Sequence, residues 1–213
     1  NRASYKSYYY PYSKIKTNYN VISKTIYYQV NERNELAFGR TMVIKSNIDN
    51  LDSIFDKFIW TGTSAAKVPN PRLHIQEIKE CNKIGIWKYF QIFLDSPISK
   101  GDTLEIRYEW PTIYNCNSSS PFFSTSTEEP TKEVNMILKL GKRYSDREII
   151  LEEYRAIEGD NPISTKRTKL DQWGDYTWPI KKPKRFRYYR IRWEWPLDAL
   201  GVSEIIDVRE EKM

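Results

Sequence analysis

From Val21 onward, apolar and polar residues alternate with a period of two, the pattern of strands that bury one face. The clearest run is 103–110. Leu104, Ile106, Tyr108 and Trp110 share one face, and Thr103, Glu105, Arg107 and Glu109 share the other. Residues 21–30 and 35–46 form a predicted hairpin about Asn31-Glu32-Arg33-Asn34. In its second strand Leu36, Phe38, Met42 and Ile44 face one way, and Arg40 is the exception on that face. Residues 51–60 fit a helical spacing as well, but Phe58, Ile59 and Trp60 followed by Thr61-Gly62 favour a bulged strand. Further strands are predicted at 72–80, 84–94, 132–140, 147–156, 175–180 and 187–195. Residues 95–103 read as a turn around Pro97 and Gly101-Asp102. The Pro/Ser/Thr-rich stretch 111–130 reads as a loop or linker, and 158–174 as irregular and polar.

Two heptapeptides nearly repeat: Glu-Ile-Arg-Tyr-Glu-Trp-Pro at 105–111 and Arg-Ile-Arg-Trp-Glu-Trp-Pro at 190–196. Both follow a Pro-Ile-x-Lys segment, at 97–100 and 179–182. Each ends at a proline, which cannot donate to a strand ladder. Two explanations fit: an internal duplication, or convergence of sheet-closing strands on one pattern. The expected fold is an all-β, antiparallel sandwich. It is built either as two small tandem or duplicated units, 19–111 and 112–213, or as one composite domain, with residues 1–18 a Tyr-rich basic arm or linker. The strand and turn spacing resembles that of immunoglobulin-like sandwiches in bacterial multidomain proteins. The tryptophans of these strands are expected to anchor the core, their indoles on the apolar faces.

Composition supports a folded domain. Of the 213 residues, 15% are aromatic, with 16 Tyr and 7 Trp, so few side chains can bury much area. Chemistry is scarce. His74 is the one histidine, and Cys81 and Cys116 lack metal-ligand spacing. Glu128-Glu129, Glu152-Glu153 and Glu210-Glu211 are sequence neighbours, and neighbours on a strand face opposite sides. No nucleotide-binding, hydrolase-elbow or calcium-loop motif occurs. No catalytic residue, metal or cofactor is therefore expected, and no enzyme. No apolar run is long enough for a membrane-spanning helix. Two cysteines point to a reducing, cytoplasmic setting. Asn rather than Met at position 1 reads as a fragment or processed product that has lost a targeting segment or a partner domain, and a covalently linked partner domain before residue 1 is the expectation.

Charge is uneven. Between Lys166 and Arg192, ten basic residues face only Asp171 and Asp175, a balance of +8; the whole chain carries +6, so the remainder is −2. Lys181, Lys182, Lys184, Arg185, Arg187, Arg190 and Arg192 are the candidate anion-binding set. Trp173, Trp178, Phe186 and Tyr188 interleave with them as candidate stacking groups. The bland alternative is a solvated, charge-protected strand edge. The leading expectation is a non-catalytic binding or sensor module for an anionic ligand: a nucleotide, a nucleic-acid backbone or an acidic protein surface. The alternatives are a structural module pairing with an effector domain or other copies as a homo-oligomer, and a carbohydrate-binding module with exposed aromatic platforms.

Overall fold

The computed structural model describes residues 17–59, 74–77, 87–109, 120–155 and 161–195. Among them no α-helix occurs. The strands are β1 (Tyr19–Val30), β2 (Leu36–Ser46), β3 (Leu51–Ile59), β4 (His74–Glu77), β5 (Trp87–Ile98), β6 (Thr103–Glu109), β7 (Phe122–Thr127), β8 (Thr131–Lys139), β9 (Glu148–Arg155), β10 (Ser164–Lys169), β11 (Asp175–Lys181) and β12 (Arg187–Arg192). They form a five-stranded sheet, β11-β8-β1-β2-β6, a four-stranded sheet, β10-β9-β12-β7, and a three-stranded sheet, β3-β5-β4. All pairings are antiparallel except β1 with β8. That pairing joins strands from either side of residue 111 in one sheet.

The fold is an all-β sandwich. Side chains of the five-stranded sheet meet those of both smaller sheets. Tyr28 of β1 stacks on Phe123 of β7 with centroids 5.7 Å apart and meets Trp193 edge-on at 4.8 Å. Trp178 of β11 meets Tyr189 of β12 edge-on at 5.8 Å. Tyr19 donates its hydroxyl to the Phe55 carbonyl at 2.8 Å. β3 runs beside β7, so the two smaller sheets lie edge to edge in the facing layer.

The period-two pattern sets which residues enter this core. Leu36, Phe38, Arg40, Met42 and Ile44 of β2 are all buried, as are Val134, Met136 and Leu138 of β8. In β1 a bulge between Val21 and Ser23 shifts the phase, so Tyr19 and Val21 point inward before it and Lys24, Ile26, Tyr28 and Val30 after it. β3 is the expected bulged strand, with its irregularity between Leu51 and Ser53. The hairpin turn falls at Asn31–Glu35. The Asn31 side chain accepts the Arg33 and Glu35 amides, and Asn34 adopts the left-handed conformation.

Three expectations need correction. Residues 122–127 are not a linker but strand β7, with Phe123 through Thr127 buried. Residues 164–169 are strand β10, an exposed edge bonded to β9. β5 continues through Pro97 to Ile98, so the turn is confined to Ser99–Asp102. The near-repeated heptapeptides occupy different positions. β6 is the edge of the five-stranded sheet, whereas β12 is bonded on both sides in the four-stranded sheet. They share the inward phase: Ile106 and Tyr108 in one, Ile191 and Trp193 in the other, all buried. Trp60, Trp110, Cys81, Cys116, the arm up to residue 16 and the tail from residue 196 lie outside the described residues.

Candidate functional site

The ten-residue basic window does not form one patch. β10, which carries Lys166, Arg167 and Lys169, is one edge of the four-stranded sheet, and β12 lies two strands away. Arg190 sits directly across from Glu152 on β9 and pairs with it at 2.7 Å; Arg192 reaches the same carboxylate at 3.4 Å. The Arg190 guanidinium also covers the Tyr154 ring at 4.7 Å and donates to the Tyr154 hydroxyl. Arg187 pairs with Glu153 at 3.3 Å, and Lys181 with its cross-strand neighbour Glu133 at 2.5 Å. These four candidates are therefore ion-paired with three acids on adjacent strands, Arg190 and Arg192 sharing Glu152.

What is left is the connection between β11 and β12, Lys182-Pro183-Lys184-Arg185-Phe186. Lys182 and Lys184 are exposed, and neither forms an ion pair with a described carboxylate. Arg185 donates Nε to the Glu128 carbonyl at 2.8 Å, which leaves its charge uncompensated, and lies over the Phe186 ring at 4.9 Å. The backbone here is tightly held. Lys182 N–H donates to the Lys132 carbonyl, Phe186 N–H to the Thr127 carbonyl, and the Thr127 hydroxyl to the Lys184 carbonyl. Pro183 is buried. Lys182 and Phe186 have positive φ, 49° and 58°. Such conformations cost of order 1 kcal/mol for non-glycine residues and persist where the surroundings impose them. Three cations thus stand on one clamped loop.

The candidate stacking groups are not gathered around it. Tyr188 is buried against Tyr154, with centroids 5.3 Å apart, and its phenol is pushed up to about 12 by burial. Trp178 is half-buried against Tyr189. Trp173 is 59% exposed but lies in the β10–β11 turn, at the opposite end of β11 from Lys182, roughly 20 Å away along the strand. There Lys142 stands over its ring at 5.9 Å. Only Phe186 belongs to the clamped loop.

Sequence reasoning missed the densest polar constellation, which lies between the two layers. Lys24, Arg40 and Tyr108 point inward from β1, β2 and β6, and Asp56 meets them from β3 in the facing layer. All four are buried. Register explains the convergence: Arg40 lies between Ile26 and Tyr108 in one cross-strand row. Asp56 Oδ1 accepts from Lys24 Nζ at 3.1 Å and from the Lys57 amide at 2.9 Å; Oδ2 accepts from Arg40 and the Tyr108 hydroxyl. Burial would raise the Asp56 carboxyl, but Arg40 and then Lys24 outweigh it and hold it well below the usual carboxylate range. Burial lowers the Lys24 ammonium, with Asp56 opposing, and raises the Tyr108 phenol.

Beside this cluster lies a cavity of about 30 Å³, room for a water molecule, lined by Lys24, Phe55, Asp56, Lys57, Ser126, Glu128 and Glu129. Lys57 pairs with Glu128. Burial raises the Glu129 carboxyl, with Lys24 opposing. Glu128 joins the two features: its carboxylate holds Lys57 at the cavity, and its carbonyl holds Arg185 of the loop. The available signal was phase. Arg40 and Asp56 are charges at positions where the alternation demands apolar residues. Among the described residues no group of three or more His, Cys, Asp or Glu is placed to hold a metal ion, and no helix is long and apolar enough to cross a membrane. His74 opens β4.

No protein-family model and no curated protein matches the chain. Among solved structures it is similar to an M1 zinc metallopeptidase from Deinococcus radiodurans, with 11% identity and a TM-score of 0.44 over 83% of this chain and 43% of that one. A putative protease from Parabacteroides distasonis gives 7% identity and a TM-score of 0.47 over 84% of this chain and 41% of the other. The chain thus spans less than half the length of these structures. Likeness at this level transfers no activity.

Proposed function

We propose that this chain is a non-catalytic binding module that recognises an anionic partner through the Lys182–Phe186 loop. The observation that carries the reading is three un-neutralised cations, Lys182, Lys184 and Arg185, on a backbone pinned by Thr127, Glu128 and Lys132. A fixed backbone removes part of the ordering cost of binding. Lysines supply point charges, and the arginine supplies a planar fork suited to phosphate or carboxylate. Pairing of Arg187, Arg190 and Arg192 with Glu152 and Glu153 within the sheet favours this loop over the rest of the basic segment. The ligand class is an oxyanion carrier: a nucleotide, a nucleic-acid backbone or an acidic peptide.

The test is anisotropy with a labelled single-stranded oligonucleotide, repeated with ATP and poly-glutamate as competitors, across a salt series. Binding is expected to weaken with salt at a log–log slope of about −2, as three neutralised phosphates on a single strand require. K182E/K184E should weaken it by about tenfold or more. Binding that ignores salt, or that survives the charge reversal, overturns the reading, as does failure to bind any of the three probes.

The carbohydrate reading requires several exposed tryptophans. Among the described side chains Trp173 is exposed, Trp178 and Trp195 are half-buried, and Trp193 is buried.

A further inference from the structure

The sheet edges of this molecule are not equally guarded. Exposed edges invite pairing with another chain, and folded proteins blunt them with lysine, proline, bulges or short strands. β10 carries Lys166, Arg167 and Lys169. β11 carries Pro179 and Lys181. β4 has four residues, and β3 and β7 run beside each other. β6 lacks proline and lysine and is not short; its outward charges are Glu105, Arg107 and Glu109, of both signs. It is seven residues long and pairs with β2 in unbroken register from Lys45↔Thr103 to Gly39↔Glu109. Among the described residues nothing pairs with its other side.

Backbone phase shows what that side offers. Gly101 has φ 93° and donates to the Ser46 carbonyl, while Ser46 N–H donates to the Asp102 carbonyl. This is a glycine bulge that leads into the strand, and it makes Ser46 and Asp102 a hydrogen-bonded pair. Bonded pairs recur every second residue in an antiparallel ladder. Leu104, Ile106 and Tyr108 therefore bond to β2. Thr103, Glu105, Arg107 and Glu109 turn their N–H and C=O groups outward. The same four residues carry the solvent-facing side chains, with signs that alternate from Glu105 to Arg107 to Glu109; Arg107 pairs with Glu109 along its own strand at 2.6 Å, an exposed pair that a facing Glu105 would join or replace.

We infer that β6 is a homodimerisation edge, pairing antiparallel with β6 of a second copy about a twofold axis at Ile106. The strand is self-complementary in one register. With Ile106 opposite Ile106, Glu105 faces Arg107 and Arg107 faces Glu105, both as hydrogen-bonded pairs, and Leu104 faces Tyr108 on the inner side. A shift of one pair in either direction sets Arg107 against Arg107 or Glu105 against Glu105, which like-charge repulsion disfavours. An odd shift sets inward residues against outward ones. The product is a continuous ten-stranded sheet with both inner faces on one side. The Lys182–Phe186 loop, beyond β8 and β11, stays clear of the new interface.

Sedimentation equilibrium across a concentration series tests this with Glu105→Arg and Arg107→Glu, both at exposed positions. Each variant alone should weaken self-association by about tenfold or more, since each sets like charges opposite twice in the dimer. An equimolar mixture of the two should recover it, because one chain then presents a pair of arginines and the other a pair of glutamates at these two facing positions. In the wild type, amide exchange at Glu105 and Arg107 should slow as concentration rises, a readout that needs no variant. A wild type that stays monomeric up to about 1 mM overturns the inference. So does a dimer indifferent to both substitutions, or a mixture that fails to recover association.

Discussion

At the scale of single residues, Asp56 holds the two layers together by charge. It accepts four hydrogen bonds, and its two buried cationic partners come from the opposite sheet. Removing it strands Lys24 and Arg40 in the core. Asp56→Ala should therefore cost about 3–5 kcal/mol in urea unfolding, whereas the combined change Lys24→Met, Arg40→Met, Asp56→Leu should fall near the wild type. An Asp56→Ala protein of wild-type stability would mean that the cluster is solvated rather than buried. The acid limb of stability follows from the same geometry. The folded Asp56 carboxyl is depressed, so its contribution is present above the unfolded value of about 4 and is lost as pH falls toward the folded one. Glu129 works in the opposite sense: its raised carboxyl contributes at low pH and loses that contribution as pH rises through the folded value. The stability gap between wild type and Asp56→Asn should accordingly shrink below about pH 4. A gap independent of pH would contradict the assignment. Gly39 is a second single-residue device. The Tyr27 ring lies across it, and a Cβ there would collide with the Tyr27 ring. The aromatic ring thereby covers the strand backbone that glycine leaves bare.

At the scale of strands, position in the sheet decides what a substitution does. Glu105→Pro removes an N–H that points away from β2, so the monomer should keep its circular dichroism and melt near the wild type. Ile191→Pro strikes β12, which is bonded to both β7 and β9, and leaves a buried carbonyl unpaired at about 1–3 kcal/mol. Equal effects from the two prolines would refute the edge-versus-interior assignment of these near-identical heptapeptides. The same distinction explains which strands were legible in the sequence. β2, β6 and β8 alternate cleanly because one face is wet and the other buried. β7 hid behind Ser124, Thr125, Ser126 and Thr127, polar side chains that read as a loop yet are buried by neighbours remote in the chain. β10 hid for the opposite reason: Ser164–Lys169 offers no apolar residue, and backbone bonds to β9 alone make it a strand. In β1 a bulge moved Lys24 into the inward phase, a shift that composition does not advertise.

At the scale of the whole molecule, the fold divides the +8 of residues 166–192 between separate strands and pairs part of it with acids from elsewhere in the chain. Glu133, Glu152 and Glu153 come to lie beside Lys181, Arg190, Arg192 and Arg187 only through the fold, across 34 to 48 residues of chain. Among the described residues of that window, the cations without an ion pair are Lys182, Lys184 and Arg185 on the β11–β12 loop and Lys166 and Lys169 on β10, and the loop is the one with a clamped backbone. The sheet edge at β6 and the loop at Lys182 are separate surfaces, so association of copies and capture of an anion should be independent. Glu105→Arg should leave anion affinity unchanged within about twofold, as expected for sites that share no partner. The most direct measurement is a two-dimensional amide NMR titration with an anionic oligonucleotide. The predicted result is a set of shift changes confined to residues 181–187 and the segment 127–132 that clamps them. Changes centred on Lys166–Lys169 or Trp173, or no changes at all, would contradict the account.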